Sequence, residues 1–197
     1  MTVATTPLMG LEDFFAHTNS LDTLYELEDG ELIEMPPESD LNQRIASFLF
    51  AYFLRQGVAP DRLRTKTEIA VMGTRPTVRI PDLMVLSEEL ATVLEGAPRA
   101  TVTLEMPPPR LVVEVVSPGK KNSDRDYRYK RSQYEARGVA EYWIVDPMAQ
   151  RITVLSRIEG LYEAALCEGE AAIASTLLTE LAAEISLTVA QILRARY

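Results

Sequence analysis

Apolar positions along the chain follow two rhythms. In LEDFFAHT, 11–18, and again in Leu41, Ile45, Phe48, Leu49, Tyr52 and Phe53, they recur every three to four residues. That spacing predicts a short amphipathic helix and then a first core helix ending near Gly57. Between them YELEDGELIEM, 25–35, brackets an Asp29-Gly30 pair, the sign of a tight hairpin, and MPPESD, 35–40, breaks the pattern. TEIAVMG, 67–73, and TVRIPDLMVL, 77–86, are expected to pair as a second hairpin, with Pro81 imposing an edge, a bulge or a bend on the latter. Residues 87–109 are weakly patterned, with a short helix in SEELATVLE before three prolines at 107–109. The 110–117 strand has no alternation and reads as buried on both faces. A helix follows to Arg137, opened by Ser123 and Asp126 in a capping-box-like arrangement and stopped by Gly138. AEYWIVDP and QRITVLSR then make a hairpin across Asp146-Pro147. Strand material at 162–166 and 170–175 and a terminal helix in TVAQILRARY complete the chain.

From residue 41 the order is helix, strand, strand, strand, helix, strand, which predicts an α/β fold with a mixed sheet flanked by helices. The 197 residues suit a single domain, with an N-terminal helix and hairpin over 1–40, a core over 41–157, and C-terminal strands and helix over 158–197. No apolar run is long enough to span a bilayer and no secretory signal pattern opens the chain, so a cytoplasmic location is the expectation. A single cysteine, Cys167, and a single histidine, His17, exclude thiolate and multi-histidine metal sites. Any metal would have to be held by oxygen, as hard cations are. The formal charge of −9 argues against nucleic-acid binding, except locally: residues 118–138 carry seven basic against three acidic side chains. A solvated, salt-bridged helix face is the alternative explanation of that segment.

Glu114 poses the chemical question, since an ionised carboxylate among Leu111, Val112, Val113, Val115 and Val116 needs a partner. Asp82, after Pro81 in the preceding strand, can supply one if the two strands are neighbours and both carboxylates share a cation. Tyr127, Lys130 and Tyr134 share one face of the next helix, which would point Lys130 at the sheet. The competing expectation for Lys130 is a stem packed on the tyrosines with its ammonium in water. Glu68 and Gln133 are outer candidates, otherwise an exposed strand glutamate and a surface glutamine. Glu26, Glu31 and Glu34 are expected on a solvated hairpin face, the alternative being that one of them reaches the metal; Trp143 is expected in the core or at a subunit contact, and His17 in a structural role.

DGELIEMPP at 29–37, IPDLMVL at 80–86, LVVEVVSP at 111–118, RDYRYKRSQY at 125–134 and GVAEYWIVDP at 138–147 together resemble the Uma-two family of restriction-endonuclease-like proteins, within the PD-(D/E)XK nuclease superfamily. The resemblance implies a restriction-endonuclease-like core. It implies Asp82 and Glu114 as metal-binding carboxylates, the Val115 carbonyl as a further ligand, Lys130 as the catalytic lysine, and Mg²⁺ or Mn²⁺ as cofactor. The superfamily lysine usually lies two residues after the glutamate. Here that position is Val116, so Lys130 would act from the helix, while Asn42 stands where the family often has histidine. The function implied is metal-dependent hydrolysis of DNA by an endonuclease. The alternative is a catalytically silent nuclease-like module that binds nucleic acid or a protein partner, with a homodimer as its assembly.

Overall fold

A computed structural model describes residues 8–19, 21, 23–119, 125–181 and 186–195. Helix α1 (Leu11–Thr18) leads into the hairpin β1 (Tyr25–Glu28) and β2 (Glu31–Glu34). Asp29 and Gly30 both have positive φ, 50° and 85°, the conformation that a two-residue turn matching strand twist requires. Helix α2 (Asp40–Arg55) is capped by Ser39 and buries Ile45, Phe48, Leu49, Tyr52 and Phe53 along one stripe.

Eleven strands fall into two mixed sheets among the described residues, where the sequence suggests one. The first has the order β2-β1-β5-β4-β7, with β4 at Glu68–Val71, β5 at Thr77–Arg79 and β7 at Thr101–Val102. The second has the order β11-β10-β9-β8-β6-β3. It comprises β3 (Leu63–Arg64), β6 (Leu83–Val85), β8 (Leu111–Val115), β9 (Glu141–Asp146), β10 (Arg151–Ile158) and β11 (Leu161–Glu168). The segment 77–86 is therefore two strands in different sheets. Proline has no N–H to give to a ladder, so pairing stops at Pro81 and the chain crosses between sheets over Ile80-Pro81-Asp82. Helix α3 (Glu88–Leu94) lies within the predicted SEELATVLE stretch, capped by Ser87.

A π-helical turn, Arg125–Lys130, runs into α4 (Arg131–Arg137), which ends at Gly138 with φ 85°. The expected Ser123 cap lies outside the described residues. The stretch 170–175 forms one isolated bridge, Ala172 with Thr188, rather than a strand, and leads instead into α5 (Thr176–Glu180) before the terminal α6 (Val189–Arg194). No described helix is long and apolar enough to cross a membrane.

Strand β8 divides the core. Leu111, Val113 and Val115 join α2, Trp143 and the C-terminal helices on one face, whereas Val112 and Val116 join Met84, Tyr134, Tyr142 and Ile69 on the other. Glu114 shares the second face by strand alternation, so it lies toward α4 and the first sheet.

Candidate functional site

Strands β6 and β8 are antiparallel, with Leu83 opposite Val113 and Met84 opposite Val112. One further step in that register sets Asp82 across from Glu114 on the same face. Both line a cavity of about 250 Å³ together with Glu26, Glu38, Asn42, Val115, Asp126 and Lys130. The Asp82 carboxyl reaches along β8, its Oδ2 accepting from the Val115 N–H at 2.6 Å. Asp82, Glu114 and Lys130 thus line one and the same cavity.

The immediate partners of Glu114 are not carboxylates. Its Oε2 lies 2.8 Å from Lys130 Nζ and its Oε1 accepts from the Tyr134 hydroxyl at 2.7 Å. Lys130 is 3% exposed, so its ammonium does not reach water at the surface. Three carboxylates surround that ammonium: Glu114, then Asp126 Oδ1 at 3.3 Å and Glu26 Oε1 at 3.8 Å. Burial works to discharge Lys130, but Glu114, Glu26 and Asp126 outweigh it and raise its pKa, keeping the group charged. For Glu114 burial dominates and lifts the carboxyl above its ordinary range, with the Lys130 charge pulling the other way. Tyr134 is held neutral by burial and by Glu114, and so acts as a hydrogen donor.

On the cavity's other side Asp82 hydrogen-bonds Glu38, which also pairs with Lys66 at 2.6 Å. Burial, that hydrogen bond and the Glu114 charge push the Asp82 carboxyl well upward, while the bond from Asp82 lowers Glu38. Asp82 consequently carries the proton of the pair. A carboxyl driven to keep its proton beside two others marks an excess of negative charge that a hard cation would relieve. The donor set, carboxylate and carbonyl oxygen, is the kind such cations take. Among the described residues no three His, Cys, Asp or Glu side chains stand close enough to hold a metal by themselves. A cation between Asp82 and Glu114 would therefore draw on the Val115 carbonyl, water and substrate oxygen, as Mg²⁺ commonly does. The residues fit such an ion on those terms.

Several expectations are corrected. Glu26 is not on a solvated face but 1% exposed. Its Oε2 accepts from Arg79 Nη1 at 2.9 Å and its Oε1 from the Ile80 N–H at 3.1 Å, an amide left unpaired where the chain changes sheets. Burial opposes the charged form of Glu26, yet Lys130 and then Arg79 bring its pKa below the usual value. Gln133 is buried, not superficial, and accepts from Arg79 Nε at 2.9 Å. Glu68 lies outside the cavity and is clamped by Arg99 and Thr101. Glu31 and Glu34 are exposed as expected, and Glu34 borders the cavity. His17 is exposed in the last turn of α1. Trp143 is fully buried and donates to Glu141. The basic segment is not one solvated stripe, because Lys130 is buried and Arg137 donates to the Thr103 and Met106 carbonyls.

Sequence reasoning missed Asp126, Glu38 and Arg79, and placed no role on Asn42. Asn42 is buried at the start of α2, where its Nδ2 lies 3.2 Å from the Val115 carbonyl and 3.3 Å from Ser117 Oγ. The spacing of Asp126 four residues before Lys130 was an available signal for that pair. Nothing local marks Arg79 as buried.

Curated proteins give no match to the sequence. A solved structure from Anabaena variabilis ATCC 29413, described as "a putative nuclease belonging to DUF820", superposes with a TM-score of 0.70 at 15% identity, covering 95% of this chain and 98% of that one. At that identity the likeness establishes the fold, a restriction-endonuclease-like α/β architecture. The profile of a family described as "Uma2: Putative restriction endonuclease" matches residues 11–190, nearly the whole chain. This protein therefore belongs to the Uma2 family of restriction-endonuclease-like proteins.

Proposed function

We propose that the chain is a Mg²⁺- or Mn²⁺-dependent endonuclease that hydrolyses DNA phosphodiester bonds in the cavity between Asp82, Glu114 and Lys130. The observation that carries this reading is the opposition of Asp82 and Glu114 on one sheet face with a buried ammonium 2.8 Å from Glu114. Asp82, Glu114 and the Val115 carbonyl would hold the ion, which when bound supplies Lewis-acid polarisation of the phosphate and a water of lowered pKa.

The chain's own groups do the remainder. Lys130, kept charged by its acidic neighbours, orients the attacking water or offsets negative charge developing on the phosphate. Its arrival from the helix compensates for Val116, whose apolar side chain packs in the core where the superfamily's lysine usually stands. Tyr134 fixes one oxygen of Glu114, and Asn42 steadies the Val115 carbonyl, so the ion's candidate ligands are held before it binds. Hydrolysis adds water across one P–O bond and leaves a phosphate monoester and an alcohol.

The test is cleavage of single-stranded, double-stranded and branched DNA with Mg²⁺ or Mn²⁺. The native chain is expected to cut at least one of these, Asp82→Asn none, and Lys130→Met about 10² to 10³ more slowly with folding intact. DNA binding without cleavage by the native chain would replace this reading with that of a catalytically silent binding module.

A further inference from the structure

Lys130 and a divalent cation compete for the same carboxylate. Both Glu114 oxygens are engaged, Oε1 by Tyr134 and Oε2 by Lys130. A cation on Oε2 would place a second positive charge against the ammonium inside a buried pocket, where like charges repel strongly. Lys130 therefore needs somewhere else to go that keeps it in the cavity. Asp126 provides it: this carboxylate is 3% exposed, its Oδ1 accepts no hydrogen bond among the described residues, and that oxygen lies 3.3 Å from Lys130 Nζ. Behind it stands Glu26, 3.8 Å from Nζ and itself anchored by Arg79 and the Ile80 amide.

We propose that Lys130 is an exchangeable counter-ion: without a cation it neutralises Glu114, and when a divalent cation takes Glu114 the ammonium passes to Asp126 and Glu26, which act as positioning residues. The exchange leaves Lys130 charged, close to the reacting phosphate, and free of the carboxylate that held it. Asp126 sits one π-helical turn before Lys130 on the same element, so the move needs rotation about side-chain bonds and no shift of backbone. This inference rests on Asp82 and Glu114 being the cation site.

The experiment is calorimetric titration of Mn²⁺ alone into the full chain, comparing native protein, Lys130→Met, Asp126→Asn and the double variant, with Asp82→Asn as the site control. Removing the competitor in Lys130→Met is expected to tighten Mn²⁺ about tenfold. Asp126→Asn, which strands the ammonium on Glu114, is expected to weaken it about threefold, and that loss is expected to vanish in the double variant. An equal loss with and without Lys130 would mean that Asp126 acts by its bare charge and would overturn the proposal. So would an unchanged affinity in Lys130→Met. If Mn²⁺ does not bind the native chain, or binds it and Asp82→Asn alike, the site assignment itself fails and the proposal falls with it. Crystals of the native protein grown with Mn²⁺ give a check that needs no variant to fold. Nζ is expected to have left Glu114 Oε2 and to have closed on Asp126 Oδ1 from 3.3 Å, and Nζ still bonded to Glu114 Oε2 beside bound Mn²⁺ would overturn the exchange.

Discussion

Asp82 and Glu26 titrate in opposite senses, and the difference separates their roles. Asp82 binds its proton more tightly folded than unfolded, so this contribution to stability is present at low pH and is lost as pH rises from 3.8 through the raised folded value. At neutral pH the cation-free protein thus carries the cost of an ionised or proton-trapped carboxyl in a crowded pocket. Asp82→Asn is expected to raise the cation-free melting temperature at neutral pH and to flatten its decline above about pH 4, read from thermal melts across a pH series. A decline of unchanged slope would show that Asp82 is not the proton's carrier. Glu26 has the reverse sign: its lowered pKa makes its contribution present above 4.5 and lost as the solution is acidified. Asp82 is a carboxyl crowded by burial and by other carboxylates, whereas Glu26 is already supplied with Arg79 and Lys130.

At the scale of elements, the start of α2 links helix capping to the site. Ser39 Oγ accepts from the Asn42 N–H at 3.1 Å and donates to Asn42 Oδ1 at 2.9 Å, which aims the Asn42 amide at the Val115 carbonyl. Ser39→Ala is expected to cost about 1 kcal/mol in denaturant unfolding, the usual worth of an N-cap, with Ser39→Asp retaining most of it. A loss well below that in Ser39→Ala would mean that neighbouring contacts already fix the helix end. The π-helical turn at Arg125–Lys130 is the second element of consequence. Its wider i→i+5 bonding leads into the regular helix α4 and carries both Asp126 and Lys130 into the cavity, as π-turns often do at functional sites.

For the whole molecule, two sheets and the helices on their faces enclose a pocket whose carboxylates outnumber its cations, in a chain of net charge −9. A divalent cation that binds only the folded state adds stability by mass action, about 2.7 kcal/mol at a hundred times its dissociation constant. Mg²⁺ or Mn²⁺ is expected to raise the melting temperature of the native protein and to leave Asp82→Asn nearly unmoved. Equal shifts in both would place the binding elsewhere on the acidic surface. The N-terminal helix belongs to the same assembly, since Arg99 joins the Phe15 carbonyl and Thr18 Oγ1 on α1 to Glu68 in β4.

The sequence by itself determined what short-range forces decide. Helical spacing located α1 and α2, Asp29-Gly30 and Asp146-Pro147 located turns, and an acidic residue inside an apolar strand singled out Glu114. The quoted motifs carried the family. Periodicity speaks to which face a residue occupies, so Lys130 could be set toward the sheet, but it does not say what waits there. Tertiary structure decided the partners. Arg79 and Glu26 are 53 residues apart, and only the pairing of β1 with β5 brings them together, turning an expected surface carboxylate into a buried anchor. Pro81 was visible as an interruption, yet whether the chain bends within one sheet or crosses to another depends on where the free strand edges lie. The 170–175 stretch had strand-like composition but little ladder to join, and settled as a single bridge beside α6. A buried charge is tolerated only where opposite charges and hydrogen bonds converge on it, and that convergence is a property of packed elements rather than of neighbours in sequence.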